Sequence, residues 1–103
     1  MDFRLKVFYS VATNLSFTKA SKELYISQPA ISKHIHELEM QYKTPLFDRT
    51  GSRIVLTRAG ELLLSHTNTL LAAYRQLDFE MNLLSLPLFP PLLPLSLLSL
   101  TAF

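Results

Sequence analysis

The stretch SFTKASKELYISQPAISKHIHELE, residues 16–39, constrains the fold of this chain more than any other. Its apolar residues recur at helical spacing in two blocks, which predict a short helix from about 18 to 25 and a longer helix from about 28 to 41. Only a few residues separate the two blocks, with Ile26 as an apolar plug between them. Because so short a connection forces the helices to meet at a steep angle, the stretch predicts a helix-turn-helix.

Local signals support both helices. In the shorter helix, either Ser16 or Thr18 can act as the N-cap. In the longer helix, Pro29 occupies the first turn, where backbone N–H groups lack intrahelical partners and proline is tolerated. The longer helix also carries an apolar face for a core, which consists of Ile31, Ile35 and Leu38.

Further elements are predicted on either side of this stretch. A first amphipathic helix is predicted over residues 3–14, because apolar residues recur there at helical spacing. After the helix-turn-helix, the sequence TPLFDRTGSRIVLT combines a turn glycine with alternating, β-branched residues. It predicts a hairpin in which residues 46–49 pair with residues 53–56. Three helices followed by a two-stranded basic wing make a winged helix-turn-helix, so the predicted fold class is mainly α.

A long fourth helix is predicted from about 58 to 82, with Thr57 as its N-cap and Glu61 near its positive end. Its apolar residues follow a heptad pattern. Such a helix is ~37 Å long at ~1.5 Å per residue, more than a domain of residues 1–58 can cover. Its apolar stripe therefore needs the same helix of a second copy as a partner or, alternatively, folds back on its own domain. The residues predicted to form a dimer interface are Leu63, Leu70, Tyr74, Leu77 and Met81.

Charge is distributed unevenly along the chain. Residues 1–58 carry nine basic and five acidic side chains, whereas residues 59–103 carry one basic and three acidic side chains. The first part is therefore basic, which suggests that it binds a polyanion. The chain has no cysteine, which excludes a disulfide framework and fits a reducing compartment. The N-terminal residues lack the continuous apolar segment of a signal peptide, so we expect a cytoplasmic location.

The N-terminal end of the longer helix has the side chains expected of a DNA recognition helix. There Gln28 can form two hydrogen bonds with adenine, Lys33 can donate to guanine or phosphate, and Pro29 offers an apolar surface to a thymine methyl group. Ser27 and Ser32 can bind phosphates or bases. The alternatives are that Ser27 only caps the helix and that Lys33 is a solvated charge. The full set of candidate DNA-binding residues is Thr18, Ser27, Gln28, Pro29, Ala30, Ser32, Lys33, His34, Arg49 and Arg53.

SFTKASKELYISQPAISKHIHELE, followed by PLFDRTGSRIVLTRAGE, resembles the N-terminal module of a LysR-type transcriptional regulator. The resemblance covers residues 1 to about 82. It implies a winged helix-turn-helix, a linker helix that forms a homodimer, and double-stranded DNA as a partner. It also implies that Arg49 and Arg53 in the wing lie near the DNA backbone or minor groove. The positions implied to contact DNA from the recognition helix are Ser27, Gln28, Pro29, Ser32 and Lys33.

The chain departs from the family after the linker helix. Family members continue into a longer effector-binding domain, whereas residues 83–103 are rich in Leu and Pro and uncharged, so we expect no small-molecule inducer site in this chain. The length of this tail suits a membrane span, but its four prolines argue against one. The remaining alternatives are a tail packed on the linker helix and an artificial end that replaces the downstream domain. The predicted organisation is a winged helix-turn-helix domain at 1–58, a linker helix at 59–82 and this tail.

No enzyme, metal or cofactor is expected. His34 and His36 are two residues apart, about 200° around a helix, so they cannot bind one ion from the same face. The run HIHELEM also lacks the second histidine that the zinc motif HExxH requires. The alternative function is that of an interaction module, in which the heptad helix pairs with full-length regulators and interferes with them.

Overall fold

The computed structural model describes residues 1–86. Four helices and one antiparallel two-stranded sheet follow in the order predicted, and the predicted fold class, a mainly α winged helix-turn-helix with a long last helix, is confirmed. The helices and strands are α1 (Phe3–Asn14), α2 (Phe17–Leu24), α3 (Gln28–Tyr42), β1 (Phe47–Asp48), β2 (Val55–Leu56) and α4 (Arg58–Ser85).

The core lies where the first three helices meet the base of the wing. The face of α3 that the sequence predicted to be apolar is fully buried, and Ala20 brings α2 close to it. From the wing side, Leu46 and Phe47 close the core. Because the buried side of α3 is fixed in this way, its opposite side faces solvent. The core residues contributed by α1 and α3 are Val7, Phe8, Val11, Ala12, Ile31, Ile35 and Leu38.

The turn between α2 and α3 is held by hydrogen bonds at Ser21. Its carbonyl accepts the backbone N–H of Ile26, and its hydroxyl donates to the Ile26 carbonyl. Tyr25 ends α2 in the left-handed conformation, with φ 57°, an uncommon state for a residue with a side chain. Of the two candidate caps of α2, Ser16 is the N-cap, because its hydroxyl accepts the Lys19 N–H at 3.0 Å. The helix therefore begins one residue earlier than predicted.

The wing strands are shorter than predicted. Pairing is restricted to Phe47 with Leu56 and Asp48 with Val55, so Arg49 and residues 53–54 lie outside the strands. The physical reason is a turn that begins at Asp48. Its carboxylate accepts the backbone N–H and the hydroxyl of Thr50, at 2.9 and 2.7 Å, and bends the chain away from the ladder.

Two contacts fix α4 against the wing. As predicted, Thr57 caps α4, since its hydroxyl accepts the Gly60 N–H, and the same hydroxyl donates to the Pro45 carbonyl at 2.7 Å. Gly60 lies so close to β1 that an added Cβ would be 2.1 Å from the Leu46 carbonyl oxygen. The wing and the long helix are therefore positioned together.

The helix α4 ends at Ser85, three residues later than predicted. Leu86 then adopts an extended conformation, and the sequence continues with Pro87, which disfavours helical geometry at the residue before it. The predicted tail began at residue 83, so its first residues belong to the end of α4. The three alternatives for the tail concern its remainder, residues 87–103, which lies outside the described residues. Within residues 1–86, no helix combines the length and apolar character that crossing a membrane requires.

The predicted dimer interface divides into two parts. Of its five residues, Leu63 packs on the core of its own domain, together with the adjacent Leu64, and Thr67, one turn later in α4, is fully buried. In its first turns, the apolar stripe of α4 therefore packs on its own domain. This was the alternative to a dimer interface. The rest of the stripe is solvent-exposed, with exposed fractions of 42%, 41%, 51% and 56% for Leu70, Tyr74, Leu77 and Met81. We call these four residues the apolar face of α4.

Candidate nucleic-acid interface

The N-terminal end of α3 presents a continuous surface to solvent, in which four of the five side chains are polar. All five of its members are exposed, while the opposite side of the helix is buried in the core. Residues three or four positions apart lie on the same side of a helix, so the members of this surface are neighbours in space. We call this surface the polar face of α3, and it consists of Ser27, Gln28, Pro29, Ser32 and Lys33.

Ser27 is the N-cap of α3. Its hydroxyl oxygen accepts the backbone N–H of Ala30 at 3.3 Å. Ser27 therefore caps the helix, which was the alternative to a DNA contact at this position. The hydroxyl hydrogen is still available for donation, for example to a phosphate oxygen, so capping does not exclude a contact with DNA. Ala30 itself, in the first turn of α3, is half-buried.

Gln28 and Thr18 are joined by a hydrogen bond between two helices. The amide nitrogen Nε2 of Gln28 donates to the hydroxyl oxygen of Thr18 at 2.8 Å. Thr18 lies in the first turn of α2, and both side chains are exposed. The helix-turn-helix thus brings these two candidate residues together, although they are ten positions apart in the sequence.

An open cleft of about 820 Å³ separates α3 from the wing. Ser32 and His36 line it from the helix, and Arg49 and Thr50 line it from the wing. Neither His36 nor Thr50 is among the residues predicted from the sequence to contact DNA. The spacing held a usable signal for His36, which follows Ser32 by one helical turn and therefore shares its side of α3.

The two wing arginines lie on different sides of the wing. Arg49 faces the cleft, and its guanidinium carbon is 4.2 Å from the centroid of the Phe17 ring. Arg53 is exposed and lines a separate shallow depression together with Thr18. The wing therefore offers a positive charge beside each helix of the helix-turn-helix.

His34 is not part of the polar face. Its ring is half-buried and meets the Phe3 ring of α1 edge-on, with a centroid separation of 5.5 Å. Its buried Nδ1 lies 3.5 Å from a Glu37 carboxylate oxygen, a distance too long for a well-formed hydrogen bond. A DNA contact by His34 stays a prediction that this placement does not favour.

The acidic side chains near the wing cleft are engaged by the fold. The Asp48 carboxylate accepts two hydrogen bonds from Thr50, and the backbone N–H bond is the main cause that lowers the pKa of Asp48. Glu39 accepts the Leu46 N–H at 2.8 Å and so ties α3 to the wing. Both carboxylates lie close to the polar face, and both already accept hydrogen bonds from other residues of the protein. Among residues 1–86, no three His, Asp or Glu side chains form a group that could hold a metal ion.

Comparison with known protein families gives a match over the winged helix-turn-helix. Residues 3–61 match the model of the bacterial regulatory helix-turn-helix proteins of the lysR family. The HTH-type transcriptional regulator CbbR of Rhodospirillum rubrum is 41% identical over 81 residues, which are 79% of this chain and 27% of that protein. A probable RuBisCO transcriptional regulator of Nostoc sp. is 45% identical over 69 residues, 67% of this chain and 20% of that protein. The chain thus spans about a fifth to a quarter of the length of these relatives.

Solved structures give a consistent comparison. A transcriptional regulator of the LysR family from Eggerthella lenta is 41% identical, with a TM-score of 0.63, over 66% of this chain and 97% of that chain. The DNA-binding domain of BenM, solved in complex with catB site 1 DNA, is 28% identical, with a TM-score of 0.79. That match covers 84% of this chain and 98% of the BenM chain.

Proposed function

Because this chain belongs to the lysR family of bacterial regulatory helix-turn-helix proteins, we propose that it regulates transcription by binding double-stranded DNA sequence-specifically. The α3 helix enters the major groove, and the wing contacts the backbone or the minor groove. The observation that carries this proposal is the exposed polar face of α3, with arginines on both sides of the adjoining wing. The BenM domain, which has the same fold, was solved bound to DNA.

Each residue of the polar face has a chemical role in this proposal. Gln28 reads an adenine through its amide, and Lys33 donates to a guanine or a phosphate. Pro29 contacts a thymine methyl group, whereas Ser27 and Ser32 bind phosphate oxygens. Base edges therefore give the specificity, and the phosphate contacts fix the position of the helix in the groove.

The second part of the proposal is a homodimer formed through the apolar face of α4. All four residues of that face are about half exposed, and they repeat at the heptad spacing of a helix pair. A second copy would bury them. A dimer would also place two α3 helices on one duplex, which raises affinity because the second half-site binds as an intramolecular step.

The same apolar face supports a second candidate function. A helix that pairs with its own copy can also pair with the equivalent helix of a longer family member. In that role the chain interferes with full-length regulators whether or not it binds DNA itself.

Selection of duplexes from a random DNA library, followed by gel-shift titration, tests the main proposal. The 103-residue chain should bind the enriched duplex at least ~10²-fold more tightly than a random duplex at the same salt concentration. Lys33→Glu should abolish this binding, while Lys43→Glu at the other end of α3 makes the same charge change away from the polar face and should have little effect. If the wild-type chain enriches no sequence yet exchanges into dimers of a longer family member, the interaction module is the correct function.

A further inference from the structure

The hydrogen bond between Gln28 and Thr18 assigns a role to Thr18 that goes beyond a contact with DNA. Gln28 is the first residue of α3, and its side chain has three rotatable bonds. Without a partner, such a side chain would sample many orientations in solvent. The 2.8 Å bond to Thr18 restrains the amide from a different helix, with Nε2 directed at the Thr18 hydroxyl oxygen.

In the orientation that this hydrogen bond gives it, the amide has one donor too few to satisfy Thr18 and guanine together. A glutamine amide carries two N–H donors and one carbonyl acceptor, and the bond to Thr18 uses one of the donors. The remaining donor and acceptor match the N7 acceptor and the N6 donor of adenine. Guanine presents two acceptors in the major groove, N7 and O6, and would need both N–H groups of the amide.

We propose that Thr18 is a positioning residue that commits the Gln28 amide to adenine and against guanine. The inference rests on the proposed function, since it requires α3 to read base edges in the major groove. It differs from a phosphate contact by Thr18, because a phosphate contact would strengthen binding to every sequence alike.

The test uses Thr18→Val, which keeps the size of the side chain but removes the hydroxyl group. Thr18→Ser is the matched control, because it keeps the hydroxyl group and removes only a methyl group. Binding is measured by fluorescence anisotropy on duplexes that carry adenine or guanine at the position where Gln28→Ala changes the base preference, and on a random duplex. Circular dichroism establishes that each variant is folded.

Thr18→Val should reduce the preference for adenine over guanine by about fivefold or more, a part of what a bidentate base contact supplies. It should change binding to the random duplex by less than about twofold. In the Gln28→Ala background, Thr18→Val should have no further effect on the preference. Thr18→Ser should retain the wild-type preference.

Three results would overturn the inference. Thr18→Val could leave the preference intact, or it could weaken binding to all duplexes equally. It could also add its full effect to that of Gln28→Ala, which would show that the two residues act independently. In each case the wild-type chain still prefers its enriched duplex, so the proposed function survives. If the wild-type chain shows no preference at all, the proposed function fails, and the role of Thr18 fails with it.

Discussion

The guanidinium group of Arg49 lies over the face of the Phe17 ring, 4.2 Å from its centroid. Phe17 in turn meets Phe47 edge-on at 6.0 Å, and Phe47 packs against Phe8 in the core with a centroid separation of 5.5 Å. An aromatic series thus leads from the core to the wing. Phe17, the first residue of α2, therefore orients the positive charge of Arg49 beside α3.

Phe17→Leu tests whether this contact matters for binding. Leucine keeps most of the apolar contact but has no ring face for the guanidinium group, an interaction worth ~0.5–1 kcal/mol at exposed sites. We expect affinity for the enriched duplex to fall by about two- to fivefold in anisotropy titrations. Phe17→Tyr keeps a ring and is the control. Equal affinities for Phe17→Leu and the wild-type chain would show that the wing arginine needs no support from α2.

The two wing arginines should act through phosphates. Replacing Arg49 or Arg53 with alanine should reduce the slope of log affinity against log salt concentration by about one, because one phosphate is no longer neutralised, and replacing both should reduce it by about two. Binding titrations at four or more salt concentrations give the slope. An unchanged slope in the double variant would assign both arginines to a solvated or structural role.

Gly60→Ala should destabilise the fold. A methyl group there would collide with the Leu46 carbonyl oxygen, and overpacking of this kind costs about 1–3 kcal/mol, more than the ~1 kcal/mol that alanine gains in helix propensity. Thermal and urea unfolding measure the difference in the free energy of unfolding. Gly51→Ala is the matched control, because no atom beyond the residue itself and its two chain neighbours lies within 4 Å of the added Cβ, and it should be nearly neutral. A Gly60→Ala variant as stable as the wild-type chain would contradict the close approach of α4 to the wing.

The apolar face of α4 is tested by placing charges in it. Leu70→Lys with Leu77→Lys should convert a dimer to a monomer, because two charges per chain cannot be buried in an apolar interface without partners. Sedimentation velocity gives the mass, and DNA affinity should fall with it because a monomer cannot bind the second half-site in the same step.

The matched control for the lysine pair adds the same charges to an adjacent side of α4. Thr69 and Gln76 are exposed and also lie seven residues apart. The variant Thr69→Lys with Gln76→Lys should therefore stay dimeric, as should a chain without residues 87–103. A dimeric Leu70→Lys/Leu77→Lys variant would refute the interface, and monomers produced by deleting residues 87–103 alone would assign dimerisation to that segment.

The sequence predicted the helix-turn-helix closely because its determinants are local. The spacing of Ile31, Ile35 and Leu38 and the capping serines act within a few residues of each other, and the helix limits were correct to within about one residue. The polar face follows directly, since burying one side of α3 exposes the other. Membership of the LysR family, suggested by the same residues, is confirmed.

Features that depend on distant contacts could not be predicted in the same way. The length of the wing strands depends on the Asp48 turn, which competes with strand pairing, and the sequence indicated only a hairpin. A heptad pattern cannot tell burial within a domain from burial between chains, so the sequence did not separate Leu63, which packs on its own domain, from the exposed Leu77. The contacts of Phe17 with Arg49 and of Thr18 with Gln28 join separate elements, and no local pattern encodes them.

The most direct test of sequence reading by α3 compares Gln28→Ala with Lys33→Ala on the enriched duplex and on a random duplex. Gln28 carries no charge, so its removal should weaken binding to the enriched duplex by ~1–3 kcal/mol while binding to the random duplex stays within about twofold of wild type. Removal of the Lys33 charge should weaken binding to both duplexes if it contacts phosphate. If Gln28→Ala instead reduced affinity for both duplexes in parallel, base reading by the N-terminal end of α3 would be contradicted.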